Sequence, residues 1–142
     1  MKILIINGPN LNMLGERQKD VYGGETLESI NARLAARFKG KAELSFFQSN
    51  IEGELVTAAQ RKDYDGLIVN GGAYSHYSYA IADAMRCDNR PKIEVHLSNI
   101  YARDEFRRHS VLSPAAAGVI CGFGADSYFL AIEQLIKILS EK

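Results

Sequence analysis

The chain has 142 residues, of which 46% are hydrophobic and 24% are charged, and its 17 Lys and Arg residues balance 17 Asp and Glu residues. A chain of this length buries about two-thirds of the surface of its unfolded state, so a single domain spanning 1-142 is expected to fold without metals or disulfides. The balanced charge argues against nucleic acid and against a membrane surface as partners.

The first residues and the lack of long apolar runs predict a cytoplasmic protein. Only four consecutive apolar residues, ILII, precede the first asparagine, which is too few for the core of a signal peptide, and no apolar run approaches the roughly 18 residues of a membrane span. Cys87 and Cys121 lie far apart without a CxxC spacing. This pattern indicates neither a disulfide framework nor a zinc site.

A strand, a long connector and a helix open the chain. KILIIN is a short apolar run typical of a strand, and TLESINARLAARFKG has helical spacing, with Thr26 as N-cap and Gly40 as terminator. Between them, residues 7–24 read NGPNLNMLGERQKDVYGG. Ordinary connectors have about four to six residues, so a loop of this length is usually functional or disordered.

Strands and helices then alternate to the end of the chain. The further predicted strands are ELSFFQ, GLIVN, KIEVHL and AGVICGF, and the further predicted helices are ELVTAAQRK, SHYSYAIADAMRC and DSYFLAIEQLIKILSEK. A charged segment, ARDEFRRHS, precedes the last strand. Five strand–helix units predict a parallel sheet covered on both faces. By analogy with small α/β folds, we expect a flavodoxin-like three-layer sandwich whose five-stranded sheet has the order 2-1-3-4-5.

Polar residues follow the ends of the predicted strands, where ligands bind in such sheets. Asn10 and Asn12 follow the first strand, Asn70 ends the third, and His96 and Ser98 lie at the end of the fourth. In the expected strand order these residues converge on one crevice at the switch point between strands 1 and 3. The long first loop is then predicted to be a lid, with a substrate cradle at its root.

Arg17 and Tyr22, within this lid, are a candidate base. A free tyrosine ionises near pH ~10, so it acts as a base at neutral pH only where its charged form is stabilised. A guanidinium beside the phenolate in a site that excludes water has this effect. A structural interpretation remains open, in which the arginine solvates the loop and the tyrosine packs beneath it.

His96 is a candidate general acid, because imidazole exchanges a proton near neutral pH. Glu94 lies two residues earlier on the same strand and therefore on the same face, where a carboxylate could hold the imidazole protonated. The alternative is a strand-end histidine that is merely hydrogen-bonded.

Two further segments contain candidate binding groups. Gly71 and Gly72 leave backbone amides free to face an anion or a polar oxygen. Arg103 and Arg107 share a face if their segment is helical, and they could then bind a carboxylate or hydroxyls, although a run of this kind also fits a solvated surface. The ligand spacings of zinc, magnesium and nucleotide sites are missing, so no metal and no cofactor is predicted.

Four ordered motifs together resemble the type II 3-dehydroquinate dehydratase (3-dehydroquinase) family, over residues 3 to about 135. They are NGPNLNMLGERQKDVYG, NGGAYSHYS, EVHLSN and ARDEFRRHSVLSPAAAGVICGFG. The resemblance implies a cofactor-free lyase of the shikimate pathway and aromatic amino acid biosynthesis, which dehydrates 3-dehydroquinate to 3-dehydroshikimate by an anti elimination through an enolate. It also implies a flavodoxin-like protomer in a homo-oligomer, a dodecamer built from trimers.

The resemblance assigns roles to the candidate catalytic residues. Tyr22 would remove the C2 proton, with Arg17 and Arg103 favouring its ionised form. His96 would protonate the departing C1 hydroxyl. Glu94 would orient that histidine, and Asn12 would help to hold the water that stabilises the enolate.

The substrate contacts implied by the resemblance lie on three segments. The substrate carboxylate would bind the backbone amide of Leu97 and Ser98. The residues that would hold the substrate hydroxyls are Asn70, His76 and Arg107. Asp83 would enter the site of a neighbouring subunit.

Two positions depart from the common family pattern, and one function from another class stays open. Lys19 stands where many members have proline, and Gly71 where many have proline or alanine; both bear on loop stiffness. The alternative function is a flavin- or nucleotide-binding module on the same fold. Such a module favours a hydroxyl- and glycine-rich phosphate loop, whereas this chain has GPNLN after its first strand.

Overall fold

The computed structural model describes residues 1–22 and 24–141. Gly23, in the predicted first loop, and Lys142, at the end of the predicted last helix, lie outside this part. Parallel strands form one sheet in the order β2-β1-β3-β4-β5, which confirms the predicted order. These strands are β1 (Lys2–Asn7), β2 (Glu43–Gln48), β3 (Gly66–Asn70), β4 (Lys92–His96) and β5 (Gly118–Cys121).

Helices cover both faces of this sheet, as the alternation predicted. The α-helices are α1 (Lys19–Tyr22), α2 (Leu27–Arg37), α3 (Glu52–Ala59), α4 (Tyr79–Met85) and α5 (Asp126–Ser140). Short 3-10 helices span Leu11–Met13, Gly72–His76, Ile100–Ala102, Glu105–Arg108 and Ser113–Ala115. Within the described ranges, no helix has the length and apolar character needed to cross a membrane.

The two faces of the sheet bury separate apolar clusters. On one face, Ile5 of β1 packs with side chains of α2 and α5, including Leu34 and Ile132. On the other face, Ile6 packs with side chains of α3 and α4, including Leu55. Successive residues of a strand point to opposite faces, so a continuous apolar run such as ILII serves both layers.

Several predicted boundaries were wrong. The helix predicted from Ser75 to Cys87 is a 3-10 helix at Gly72–His76 followed by α4, because the Ser78 hydroxyl accepts from the Ile81 amide and starts a new helix there. The helix predicted at 54–62 is α3, which begins and ends earlier. In the charged segment 102–110, where the sequence leaves a helix open, the 3-10 helix Glu105–Arg108 contains Arg107 but not Arg103.

The long first loop has more regular structure than the sequence indicated. It contains the 3-10 helix Leu11–Met13 and the single turn α1, and Leu11 and Leu14 are buried in the apolar core. The loop is therefore anchored at its root. Lys19, at the family's proline position, begins α1.

Helix α5 carries a broad stripe of apolar side chains, and this stripe packs against the sheet of the same chain. Tyr128, Ile132 and Leu135 are at most 1% exposed against the sheet, and partly buried residues such as Ile136 pack on the same cluster. The stripe therefore gives little reason to expect an interface on this helix.

Candidate active site

The carboxyl ends of β1, β3 and β4 form the floor of a cavity of about 100 Å³. This space is smaller than an engineered cavity of about 150 Å³ that holds a benzene molecule, so it accommodates no more than one small ring. The predicted site residues that line the cavity are Arg17, Tyr22, Asn70, His76, His96, Leu97, Ser98, Arg103 and Arg107. The fold thus brings together residues from the lid, two strand ends and the charged segment.

Tyr22 lies between two guanidinium groups at the side of the cavity formed by the lid. Arg103 Nη1 donates a hydrogen bond of 2.7 Å to the Tyr22 hydroxyl, and its Cζ is 5.2 Å from the centre of the ring. Arg17 Cζ is 5.8 Å from the same ring centre. Of the two arginines, Arg103 therefore makes the direct contact with the oxygen that would carry negative charge.

His96 and Glu94 form a buried pair on one face of β4, as the strand alternation predicted. The His96 Nε2–H donates to Glu94 Oε1 at 2.7 Å, and Glu94 is fully buried. The Ser110 and Ser113 hydroxyls also donate to this carboxylate. Burial raises the pKa of the Glu94 carboxyl, but the hydrogen bonds from His96 and the two serines outweigh it and leave the pKa below its usual value.

His76 lies beside this pair as a neutral ring. Burial, partly opposed by a hydrogen bond to the His109 carbonyl, lowers the pKa of His76, and the charges of His96 and Arg107 act in the same direction as burial. Its Nδ1 lies 2.8 Å from the His109 carbonyl oxygen. A carbonyl oxygen can only accept, so Nδ1 carries the hydrogen and Nε2 has a lone pair for a hydroxyl donor.

The root of the first loop packs tightly against the turn after β3. A Cβ atom at Gly8 would lie 2.3 Å from the Gly71 carbonyl oxygen, and one at Gly71 would lie 2.5 Å from Ser75 Oγ. Gly72 has φ +56°, in the region that favours glycine. The backbone contact requires glycine at position 8, and the positive φ favours it at position 72. The close approach brings the two strand ends together under the cavity.

Comparisons with known proteins agree with this geometry. The family model described as "Dehydroquinase class II" matches residues 1–136. A 3-dehydroquinate dehydratase of Clostridium beijerinckii is 50% identical over 139 residues, which are 95% of each chain. The chain belongs to the class II dehydroquinase family.

Solved structures of this family have the same fold as the chain. The type II dehydroquinase of Butyrivibrio crossotus superposes with a TM-score of 0.93 at 46% identity, covering 95% of this chain and 97% of that one. The type II dehydroquinase of Propionibacterium acnes superposes with a TM-score of 0.92 at 39% identity, covering 96% of each chain.

Three residues expected from the family resemblance lie outside the cavity lining, and one of them, Glu94, is bonded to the lining residue His96. Asn12 is exposed within the 3-10 helix Leu11–Met13, whereas Asn10, two residues earlier, lines the cavity. Asn10 has φ 67°, and this left-handed residue redirects the chain immediately before the helix. Asp83 lies on α4 with its side chain 79% exposed, 3.4 Å from Arg86.

Some residues of the candidate site were not predicted from the sequence. Leu11, Leu14 and Ile100 give the cavity apolar walls, and they follow no local periodicity. Ser110 and Ser113 contact Glu94 across 16 and 19 residues of sequence. Such non-local contacts leave no signal in the spacing of residues along one strand or helix.

Proposed function

We propose that the chain dehydrates 3-dehydroquinate to 3-dehydroshikimate in the shikimate pathway, by an anti elimination through an enolate, as a single catalytic domain. Membership of the class II dehydroquinase family supports the reaction. One observation carries the residue roles: a tyrosine hydrogen-bonded to arginine and a histidine hydrogen-bonded to a carboxylate line the same small cavity. An elimination needs one group to take a proton and another to give one.

In the first step, the ionised Tyr22 oxygen removes the proton from C2, and the electrons of that C–H bond move to the C3 carbonyl oxygen to form the enolate. The hydrogen bond from Arg103 and the positive charge of Arg17 stabilise the phenolate. The support of the enolate through a water, expected of Asn12, is assigned here to Asn10, because Asn10 lines the cavity.

In the second step, the enolate collapses, the bond between C1 and its oxygen breaks, and His96 gives a proton to the departing hydroxyl, which leaves as water. Glu94 occupies Nε2 of His96, so Nδ1 is the ring nitrogen left for this proton. The carboxylate orients the imidazole and compensates its positive charge.

The other groups lining the cavity hold the substrate. The substrate carboxylate binds the Leu97 amide and Ser98. The substrate hydroxyls bind side chains at the end of β3, in the turn that follows it and in the charged segment. The neutral His76 accepts from one hydroxyl through Nε2, while Asn70 and Arg107 bind the others. A flavin or a nucleotide is several times larger than one ring, so the cavity favours this substrate over the alternative binding module.

Direct assay tests the proposal. Turnover of 3-dehydroquinate produces a conjugated enone, whose rising ultraviolet absorbance reports the rate. Tyr22→Phe should lower kcat by about 100-fold or more, because it removes the base. Tyr101→Phe is the matched control, since that tyrosine is 60% exposed and outside the cavity lining. Retention of a tenth or more of the wild-type kcat by Tyr22→Phe would remove Tyr22 from the mechanism.

The proposal includes a cytoplasmic homo-oligomer, a dodecamer built from trimers, in which Asp83 enters a neighbouring site. Two unpaired thiols, Cys87 and Cys121, support a reducing compartment. Asp83 is exposed on α4, and the large side chains of Tyr77 and Tyr79 nearby are 58% and 72% exposed. Exposed aromatic side chains grouped in this way are typical of interfaces.

Co-expression of two inactive variants tests the shared site. A mixed oligomer of Asp83→Ala and Tyr22→Phe subunits contains sites with both Tyr22 and a neighbour's Asp83. Activity of the co-expressed pair should therefore exceed that of the separately purified variants. A fully active monomer in light scattering, or no gain on co-expression, would contradict the shared site.

A further inference from the structure

A chain of buried hydrogen bonds lies directly beneath the cavity. Tyr128, on the first turn of α5, is 1% exposed, and its hydroxyl bonds to Asn7 at the end of β1 and to Asn70 at the end of β3. Asn7 and Asn70 are paired in the sheet register. Of the three residues, Asn70 alone lines the cavity.

One backbone N–H fixes which atoms donate and which accept in this series of hydrogen bonds. The Gly72 amide donates to Asn70 Oδ1 at 3.2 Å, so that oxygen faces Gly72 and Nδ2 faces Tyr128, to which it donates at 2.8 Å. The Tyr128 hydroxyl thus accepts from Asn70, and its single hydrogen goes to Asn7 Oδ1. Burial raises the pKa of Tyr128, and the hydrogen bond from Asn70 opposes this effect only in part. The raised pKa keeps the hydroxyl protonated and able to make both bonds.

The arrangement is poorly explained as a device for stability. The Asn7 Nδ2 atom is buried and has no hydrogen-bond partner among the described residues. A buried donor without a partner is unfavourable, and apolar side chains at such positions commonly give equal or greater stability. These hydrogen bonds instead restrict the side-chain amide of Asn70, which can otherwise rotate so that its oxygen and nitrogen exchange places.

We propose that Tyr128 is a positioning residue for the reaction, acting through Asn70. With one N–H bonded to Tyr128 and one lone pair bonded to Gly72, Asn70 has one N–H and one lone pair left in fixed places for a substrate hydroxyl. The inference rests on the proposed function, because it assigns to Tyr128 the orientation of a substrate-binding amide.

A double-mutant cycle on the full-length enzyme tests the inference. Tyr128→Phe keeps the ring and removes the hydroxyl, and it should lower kcat/KM roughly 10-fold to 100-fold through misplacement of the bound substrate. The loss should fall mainly on KM, since Asn70 binds substrate and transition state alike. In an Asn70→Ala background, Tyr128→Phe should cause no further loss. The limbs of the pH–rate profile should not move, because Tyr128 stays protonated throughout.

Tyr64→Phe is the matched control. Tyr64 is also buried, at 4% exposure, and its hydroxyl donates to the Ala59 carbonyl near the amino end of β3, away from the cavity. This variant should change thermal stability and leave KM unchanged. A wild-type KM in Tyr128→Phe, or losses that multiply with those of Asn70→Ala, would overturn the inference while the proposed function stands.

Two further outcomes are distinguishable. If the wild-type enzyme does not turn over 3-dehydroquinate, the proposed function fails and the inference fails with it. If Tyr128→Phe does not fold, Asn7→Ala takes its place, because it keeps the hydroxyl and removes its acceptor. Its loss of kcat/KM should likewise vanish in the Asn70→Ala background, and a multiplying loss would refute the positioning role.

Discussion

At the scale of single residues, the contact between Arg103 and Tyr22 differs from that made by Arg17. Arg103 bonds the phenol oxygen at 2.7 Å, whereas Arg17 lies over the ring, 5.8 Å from its centre. Charge–charge attraction falls with distance, and it is strongest where water is excluded. The two arginines should therefore stabilise the phenolate to different extents.

Arg103→Ala should move the acidic limb of the pH–rate profile further than Arg17→Ala does. Removal of positive charge makes the phenolate harder to form, so the acidic limb shifts to higher pH in each variant and both variants lose kcat near neutral pH. Arg103→Lys should rescue only in part, because an ammonium lacks the planar fork of arginine. Profiles of kcat against pH for the three variants provide the measurement; an unmoved limb with normal kcat in Arg103→Ala would contradict the role.

Ser110→Ala should narrow the active range at its acidic end. The hydrogen bond from Ser110 favours the ionised form of Glu94 and lowers the pKa of that carboxyl, so its removal raises this pKa and Glu94 becomes protonated at a higher pH. Activity supported by His96 is then lost earlier as the pH falls. Ser140→Ala, on the exposed end of α5, is the control for serine removal. Equal profiles for both variants would show that Glu94 does not depend on Ser110.

The sequence predicted some contacts of these residues and missed others. The pairing of His96 with Glu94 followed from strand alternation, because two residues on one strand face lie close whatever the rest of the fold does. The serine contacts to Glu94, and the choice of Asn10 over Asn12, depend on loops that fold back from elsewhere or turn through a left-handed residue. Periodicity contains no information about such turns.

At the scale of elements, apolar runs and caps predicted most of the boundaries. β1 and β3 are buried on both faces, so their sequences are continuous apolar runs with clear ends. Thr26 caps α2 as expected, through a 3.1 Å bond from the Ser29 amide. Ser78 is an equally plain capping signal, and its neglect explains why 75–87 was predicted as one helix.

Gly8→Ala should damage the site, whereas Gly53→Ala should not. A methyl group at position 8 would lie 2.3 Å from the Gly71 carbonyl, so the two strand ends must separate, at a cost of about 1–3 kcal/mol typical of overpacking. Gly53, in α3, has nothing within 4 Å of its Cβ position, and alanine there should stabilise by about 0.5–1 kcal/mol. Urea unfolding and KM measure both effects. An unchanged KM in Gly8→Ala would show that the close approach does not hold the cavity in shape.

At the scale of the whole molecule, the carboxyl ends and the amino ends of the strands have different roles. The proposed site lies at the carboxyl ends of the strands. At the amino end of β4, the Asp88 carboxylate accepts from Arg90 Nε at 2.9 Å and from Lys92 Nζ at 3.0 Å, and Lys92 is only 4% exposed. The Arg90 guanidinium lies 3.7 Å from the centre of the Tyr64 ring. This network joins the segment before β4 to the core, far from the chemistry.

Asp88→Asn should therefore lower stability and leave catalysis intact. Hydrogen bonds from Arg90, followed by that from Lys92, hold the pKa of Asp88 well below its usual range against the opposing effect of burial. A carboxyl whose pKa is depressed on folding stabilises the protein above its unfolded pKa of about 4, and this contribution is lost as the pH falls through the folded value. The variant should be less stable than the wild type by about 1.5–3 kcal/mol at pH ~7, the range for hydrogen bonds to charged groups.

The gap between the two proteins should narrow as the pH falls below about 4, because the unfolded wild type then binds a proton at Asp88 that the folded wild type binds only at lower pH. Urea unfolding at neutral and acidic pH, at one protein concentration, measures the gap, since the stability of the proposed oligomer would depend on concentration. Asp126→Asn is the control: its side chain is 73% exposed and 3.9 Å from Arg33, so its effect should be small at every pH. A gap that stays constant with pH would show that the ionised form of Asp88 contributes nothing to stability. A loss of kcat at neutral pH would show that the amino and carboxyl ends of the strands are not independent.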